Sequence, residues 1–192
     1  MARKLKQHGI GYTSGIAQAA AEAVTDFLIS TWPQTVAVHN VEEIEAYQSY
    51  DVDLLWTVVE RRGRMRVIPI EIKGDRYHET GNYFFETISN ESKGTPGCFL
   101  YTQAKWLFYY FVEVQRLHCL PMARVQPWFV QHIDRFDERR TSTPVGRPGK
   151  GEYYVTVGRL VPIQTVLQEV EGVMVFERRE DLWQRLSIDS LI

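Results

Sequence analysis

The 192-residue sequence is poor in cysteine and in long apolar runs, and each shortage excludes a class of protein. Its two cysteines, Cys98 and Cys119, have no CxxC or Cys/His ligand spacing, so a disulfide framework and a zinc site are not expected, and both are predicted to be small core residues. The longest apolar run, near residues 106–114, is shorter than the roughly 20 residues that span a bilayer. Because the first residues also lack a secretion signal, we expect a cytoplasmic protein with no membrane partner.

Familiar catalytic patterns are missing as well. The five histidines have no HExxH spacing, the serines have no GxSxG elbow, and no Walker lysine pattern occurs, which argues against a zincin, a serine hydrolase and an ATPase. The net charge of −2 gives no overall attraction to nucleic acid. Two local basic clusters are most simply explained as solvated loop charges: Arg61, Arg62, Arg64 and Arg66, and then Arg135, Arg139, Arg140, Arg147 and Lys150.

The length fits one domain, predicted to cover residues 1–192 with a flexible arm at 1–13 and Ser14 as the N-cap of the first helix. Helices are predicted over 15–31, 124–137, 163–169 and 178–186. Strands are predicted over 35–41, 52–60, 65–73, 82–88, 105–114 (where a helix is also possible), 117–121, 152–161 (with a break at Gly158) and 173–176. Residues 138–151 are predicted to be a polar loop. This order favours an α/β fold with a mixed sheet flanked by helices.

The most informative feature is a pair of charges at the end of an apolar strand. Side chains alternate along a strand, so Glu71 and Lys73 share one face and Ile72 takes the other. Charges at a buried strand end are normally paired or bound to something. The pair therefore marks a candidate site.

The preceding hairpin decides whether a second carboxylate joins this pair. If residues 61–63 form a three-residue loop with Gly63 in the left-handed conformation, Glu60 pairs with Arg64 and Asp53 lies opposite Glu71. Cross-strand Cβ atoms are then about 5 Å apart. A two-residue loop would move Asp53 to the other face.

Two carboxylates at that separation suit a hard cation, and Mg²⁺ or Mn²⁺ is the expected cofactor, held by Asp53, Glu71 and the backbone carbonyl of Ile72. Such an ion can polarise a phosphoryl oxygen, and Lys73 can stabilise the charge that develops there. The structural alternative is a salt bridge between Lys73 and Asp53 or Glu71, which would leave one carboxylate unpaired.

The pattern Asp53…Glu71-Ile72-Lys73, on a hairpin that follows an N-terminal helix, resembles the PD-(D/E)XK nuclease superfamily of restriction endonucleases and Holliday-junction resolvases. The resemblance covers residues 14–120. It implies a restriction-endonuclease-like fold, Mg²⁺- or Mn²⁺-dependent hydrolysis of DNA phosphodiesters, DNA as the partner and a homodimer. The motif is short and degenerate, and Val52 stands where the superfamily's name has proline.

Three further acidic residues are candidates. Several superfamily members carry a glutamate on the first helix, for which Glu22 is the candidate here; the alternative is a solvent-facing helix residue. Glu86 is a candidate for the same cleft or an exposed strand residue. Asp51 is an alternative to Asp53, but it takes the opposite face if the strand already runs there. Two competing hypotheses are a non-catalytic nucleic-acid-binding or protein-interaction module on the same fold, and an unrelated α/β domain with a structural salt bridge.

Overall fold

The computed structural model describes residues 10–144 and 153–191, so residues 1–9 of the predicted arm and residues 145–151 of the predicted loop lie outside them. The helices are α1 (Ile10–Thr31), α2 (Glu45–Gln48), α3 (Cys98–Tyr101), α4 (Met122–His132) and α5 (Ile163–Glu169). The first six strands are β1 (Thr35–Asn40), β2 (Leu54–Val59), β3 (Met65–Asp75), β4 (Asn82–Asn90), β5 (Thr95–Pro96) and β6 (Trp106–Phe111). The others are β7 (Arg116–Pro121), β8 (Asp137–Pro144), β9 (Tyr153–Pro162), β10 (Met174–Arg179) and β11 (Leu182–Arg185). Among these helices none is long and apolar enough to cross a membrane.

The fold is mixed α/β and contains two sheets. The larger sheet has seven strands in the order β1-β2-β3-β6-β7-β10-β11, in which β3 and β6 run parallel and the other neighbours run antiparallel. The smaller sheet has four antiparallel strands in the order β5-β4-β9-β8. β3 is therefore an interior strand, and from Ile68 onward its side chains are buried or half-buried.

Alternation along the aromatic strand β6 shows how two cores form on the two faces of the large sheet. Phe108 and Tyr110 pack in the core that α1 covers, together with Phe27. Leu107 and Tyr109 pack in the other core, which the smaller sheet, α4 and α5 cover. The period-two pattern thus divides one continuous apolar run between two layers.

Helix α1 begins earlier than predicted. It starts at Ile10, so Ser14 lies inside the helix rather than at its N-cap, and residues 10–13 of the predicted arm are helical. No proline interrupts this segment, and the buried stripe that includes Ala20 and Phe27 anchors a helix that can then propagate backwards at little cost.

The β2–β3 hairpin has the predicted register. Leu54 pairs with Ile70 and Val59 with Met65, and the N–H of Glu60 donates to the carbonyl oxygen of Arg64 at 2.7 Å. Gly63 has the expected positive φ of 74°. Arg62 also has a positive φ of 69°, which the sequence did not indicate.

Pro69 lies in this interior strand without breaking it. The parallel pairing of β3 with β6 begins one residue later, at Ile70, so the missing N–H of Pro69 leaves no gap in that ladder. The carbonyl oxygen of Pro69 still accepts a hydrogen bond from the N–H of Lys105 at 2.8 Å.

Two predictions for the middle of the chain were wrong. The predicted polar loop contains β8, which is paired along its whole length with β9 and bonded through Arg140 to Glu91. The predicted break at Gly158 is absent because β9 is continuous, and the irregular register lies across from it in β4. Gly158 is needed for space: an added Cβ would lie 2.5 Å from the ring of Phe84.

The predicted C-terminal helix was also wrong, because residues 178–186 form most of a hairpin. β10 continues to Arg179, and Glu180 and Asp181 both have positive φ in the tight turn before β11. Such turns usually carry glycine or asparagine, so the sequence lacked the usual signal. The hairpin is held by Trp183, whose indole N–H donates to Asp26 at 3.0 Å on α1.

We predict that Gly74→Ala will destabilise the fold by about 1–3 kcal/mol, because α1 and β3 are in contact at this residue. An added Cβ would lie 2.9 Å from both the backbone oxygen and the Cγ2 of Ile16. Gly15→Ala is the matched control, since Gly15 is exposed on the same helix with no atom within 4 Å of an added Cβ. It should stabilise the helix by about 0.5–1 kcal/mol. Urea unfolding followed by circular dichroism measures both, and equal stability of the two variants would contradict the packing.

Candidate metal centre

The charged pair on β3 faces a narrow cavity between the two sheets. Glu71 and Lys73 line it from one side, Glu86 on β4 from the other, and Cys98 at the start of α3 closes one end. The open space is about 10 Å³, which is about what one water molecule or small ion needs. Glu71 and Lys73 therefore share a face, as the strand period predicts, and they share it inside the protein.

Glu71 is the most deeply buried acid of the group, with 8% of its surface exposed. Its Oε2 is buried and has no hydrogen-bond partner, and its carboxyl group lies against those of Asp53 and Asp51. Burial, together with the nearby charges of Asp53 and Asp51, raises the pKa of Glu71 well above its usual range. In the absence of a cation, Glu71 therefore holds a proton readily.

Asp53 lies beside Glu71, as the hairpin register predicts. β2 begins one residue later, and the N–H of Asp53 donates to the carbonyl oxygen of Ile70 at 2.9 Å. Its Oδ2 accepts a hydrogen bond from the backbone N–H of Ile72 at 2.7 Å. Burial raises the pKa of Asp53, and the Ile72 hydrogen bond opposes that rise. Asp53 is thus fixed to the backbone at the residue whose carbonyl was predicted to be a metal ligand.

Asp51 belongs to the same cluster. Asp51 was expected on the opposite face from Asp53 only if the strand included it, but β2 begins at Leu54. Asp51 instead has a positive φ of 53°, and its Oδ2 is buried without a hydrogen-bond partner. Burial, with the charges of Asp53 and Glu86, raises the pKa of Asp51 to about 6. Strand alternation applies only within a strand, so it could not indicate that Asp51, a left-handed loop residue, joins the acidic cluster.

Lys73 does not form the salt bridge of the structural alternative. The ion pairs within residues 10–144 and 153–191 do not include it. Burial lowers the pKa of Lys73. The surrounding groups Cys98, Glu86 and Glu71 raise it by more, so the net shift of the pKa is upward.

The two additional glutamates lie in different places. Glu86 lines the same cavity as Glu71 and Lys73. Glu22 does not: it is exposed on α1, accepts a hydrogen bond from Gln18 at 3.0 Å, and lines a separate groove with Glu42 and Glu43. The geometry therefore favours the solvent-facing explanation for Glu22 and the cleft explanation for Glu86.

Cys98 was predicted to be a small core residue, yet its side chain reaches the acidic cluster. One ligand atom each from Asp51, Glu71 and Cys98 lie within 4.8 Å of one another. Gly97 makes this position available, because an added Cβ there would lie 2.4 Å from the carbonyl group of Glu86. The N–H of Gly97 also donates to the carbonyl oxygen of Thr87 at 2.9 Å, which ties α3 to β4. No spacing motif in the sequence could have indicated this contact.

The donor set fits a divalent cation. Two orphaned carboxylate oxygens in a buried pocket are costly unless a cation or protons neutralise them. Burial raises the pKa of the Cys98 thiol well above its usual range, but coordination to a metal deprotonates a thiol. A purely oxygen site would suit Mg²⁺ or Mn²⁺, whereas a site that includes sulfur suits Co²⁺ or Zn²⁺ better.

Comparison with known proteins finds no matching family model, no matching curated protein and no matching solved structure. The functional interpretation therefore depends on the motif and on the geometry of the cluster.

If Cys98 is a ligand, Co²⁺ added to the protein should give a sulfur-to-metal charge-transfer band in the near ultraviolet. Cys98→Ser should abolish the band and weaken Co²⁺ binding by about tenfold or more, while leaving Mg²⁺ binding nearly unchanged, since oxygen suits Mg²⁺. Cys119→Ser is the matched control, because Cys119 is buried in the core under α1. A band that survives Cys98→Ser would remove the thiol from the site.

The acidic cluster should also make the metal-free protein less stable as the pH rises. Asp51 has a higher pKa folded than unfolded, so its contribution is fully present below about pH 4 and is lost as the pH passes through 6. The loss should reach up to about 3 kcal/mol. Asp51→Asn should flatten this part of the profile, and Glu43→Gln, an exposed carboxylate outside the cluster, should not. Urea unfolding midpoints between pH 4 and 7 in EDTA measure this loss of stability. If the midpoints of wild type and Asp51→Asn fall in parallel with pH, the raised pKa of Asp51 is contradicted.

Proposed function

We propose that the protein is a metal-dependent phosphodiesterase that hydrolyses DNA, on a restriction-endonuclease-like version of the α/β fold. One observation carries the proposal: Asp51 and Glu71 each have a buried oxygen without a hydrogen-bond partner, and they lie beside a lysine that forms no ion pair among the described residues. A structural salt bridge would have used Lys73 to neutralise one of these acids. A site left in this state is suited to receive a cation and a phosphate.

Each residue of the cluster has a defined part in this proposal. Glu71 and Asp51 hold the cation, and Mg²⁺ or Mn²⁺ is the expected cofactor for hydrolysis. Cys98 is a third ligand only for a softer ion such as Co²⁺ or Zn²⁺. The bound ion supplies Lewis-acid polarisation of the phosphodiester and a more acidic water. Asp53, fixed by the Ile72 N–H, lies against Glu71 and orients its carboxylate toward the ion.

Lys73 supplies the positive charge that the reaction needs. Its ammonium group remains protonated near neutral pH, because burial lowers its pKa by less than Cys98 and the carboxylates around it raise it. A fixed cation in a cavity of low polarity stabilises the negative charge that develops on the phosphate oxygens in the transition state. Lys73 also remains available for this contact, since no carboxylate within 4.0 Å holds it in the described structure.

The substrate must approach at the rim. The cavity has room for an ion but not for a sugar–phosphate chain. Asp51 is only partly buried, and Tyr101, which is 40% exposed, lies near it at the end of α3. Burial raises the pKa of Tyr101, and the negative charges of the cluster, Asp51 included, raise it further. We therefore place the scissile phosphate on this side, with its oxygens directed inward to Lys73.

The choice of DNA depends on the resemblance to the nuclease superfamily and on one basic surface. Arg61, Arg62 and Arg64 are exposed at the tip of the β2–β3 hairpin. Lys73 lies nine positions after Arg64, which immediately precedes β3, and this distance is roughly 30 Å of extended chain. A duplex that reaches the cluster could extend its phosphate backbone to this tip, where arginine contacts add affinity without sequence preference.

The alternative, a non-catalytic nucleic-acid-binding or protein-interaction module, is favoured by different observations. The cavity is narrow, and part of the second basic cluster is neutralised: Arg135 pairs with Glu169 and Arg140 with Glu91 and Glu138. A module of this kind has no use for the orphaned oxygens of Asp51 and Glu71. The two functions differ in one measurable property, hydrolysis.

The decisive experiment is cleavage of supercoiled, linear, single-stranded and branched DNA with Mg²⁺ or Mn²⁺. Wild type should cleave at least one of these, and Lys73→Met should lower the rate by about 100-fold or more, because it removes the fixed charge from the transition state. Lys105→Met is the matched control, since Lys105 is an exposed lysine just before β6 and does not line the cavity.

Glu71→Gln should also abolish cleavage, through loss of metal binding rather than of the ammonium group. Thermal stabilisation by Mn²⁺ separates the two effects: Lys73→Met should retain it and Glu71→Gln should lose it. Cleavage that is equal in wild type and Lys73→Met would exclude the proposed mechanism. A wild type that binds DNA without cutting any substrate would support the non-catalytic module.

A further inference from the structure

A second polar cavity lies away from the acidic cluster, between β7, the turn before β4 and the start of α5. Its volume is about 310 Å³, within the range of small-molecule sites. Its apolar wall includes Ile163, Leu167 and Leu191, and its polar groups are His78, Arg116, His118 and Gln164. Of the described residues that line it, none is acidic. The nuclease proposal uses none of these residues.

His118 is the unusual member. It is 1% exposed on an interior strand, paired with Tyr109 of β6 and Val175 of β10. Its Nδ1 is 2.5 Å from the Tyr83 hydroxyl, and its Nε2 is buried without a hydrogen-bond partner. Burial, with the charges of Arg116 and His78, lowers the pKa of His118 to about 3, so the ring is neutral under physiological conditions.

The hydrogen bond to Tyr83 defines which nitrogen of His118 carries the proton. Within the described residues, the buried Tyr83 hydroxyl forms no other hydrogen bond. Since no other acceptor for this hydroxyl exists among them, its O–H is paired only if it donates to Nδ1. Nε2 of His118 therefore bears the ring hydrogen and is a fixed donor without an acceptor.

Arg116 supplies the second donor. Its Nε and Nη2 donate to Oε2 of Glu177 at 3.1 and 2.5 Å, and its Nη1 donates to Nε2 of His78 at 3.2 Å. A guanidinium has five N–H groups, so these three bonds hold it in place and leave donors for another partner. His78 is in turn held edge-on against Phe111 at 5.0 Å. The donors on this wall are preorganised.

We propose that this cavity binds a compact oxyanion-bearing molecule, a short-chain carboxylate or a phosphate, whose oxygens accept from His118 Nε2 and Arg116. The apolar wall of Ile163, Leu167 and Leu191 accommodates a short aliphatic part. A ligand that presents only donors is excluded, because it would leave the His118 N–H unpaired. The site is independent of the acidic cluster, so neither proposal depends on the other.

The test is a histidine-ring ¹H–¹⁵N NMR titration of the full chain with sodium butyrate and, separately, sodium phosphate, against sodium chloride at equal ionic strength. His118 should show the Nε2–H tautomer before any addition. One of the two anions should then shift the His118 and His78 signals with saturation, while His39, exposed on β1, stays unchanged. Saturation by butyrate alone identifies a carboxylate site, and saturation by phosphate alone identifies a phosphate site.

Two variants complete the test. His118→Phe keeps a ring against Tyr83 and Phe111 but removes the donor, and it should weaken binding at least tenfold. If that variant fails to fold, Gln164→Trp places a bulky ring at the exposed rim and should block entry, whereas Gln168→Trp, one turn further along α5 and outside the cavity lining, should bind like wild type. An Nδ1–H tautomer, unsaturable shifts with both anions, or normal binding by Gln164→Trp would overturn the proposal.

Discussion

The alternation of β3 is the constraint on which the rest of the structure depends. Because β3 is an interior strand, both of its faces are covered, and one of them must accept charged side chains inside the protein. Ile68 and Ile70 pack under α1, and this apolar face fixes the register of the strand. Glu71 and Lys73 are then forced toward the smaller sheet. The burial that stabilises one face produces the desolvation that gives the other its chemistry.

That arrangement is unfavourable in the free protein. Three carboxylates lie close together, and the raised pKa values of Asp51, Asp53 and Glu71 show that protonation is the cheaper way to neutralise them when no cation is bound. Lys73 offsets only part of this repulsion. A cation would remove the conflict for all three acids at once, so under the metal-binding proposal the ion would stabilise the fold. Sites that sacrifice local stability in this way are usually functional.

The predictable and unpredictable parts of the site divide along a physical line. The hairpin register followed from Gly63, because a positive φ is a local property of the turn. Asp51 and Cys98 could not be placed, since the first depends on a left-handed loop and the second on the approach of α3 to β4 at Gly97. The same holds for the fold: α5 has its predicted bounds, whereas the β10–β11 hairpin depends on the packing of Trp183 against α1. Patterns that repeat along one element are readable, and long-range contacts are not.

Both polar cavities lie on one face of the large sheet, and each has buried polar atoms nearby that lack a hydrogen-bond partner. Register aligns Lys73, Tyr109 and His118 across three neighbouring strands. Phenols satisfy part of this row, since Tyr109 donates to Asp75 and Tyr83 contacts His118. Among the described residues, the buried side-chain atoms left without a partner include oxygens of Glu71 and Asp51 in the acidic cluster beside one cavity and an imidazole nitrogen of His118 at the other. Buried polar atoms are rarely left unpaired without a reason. Because the acceptors are at one cavity and the donor at the other, the first suits a cation and the second an anion.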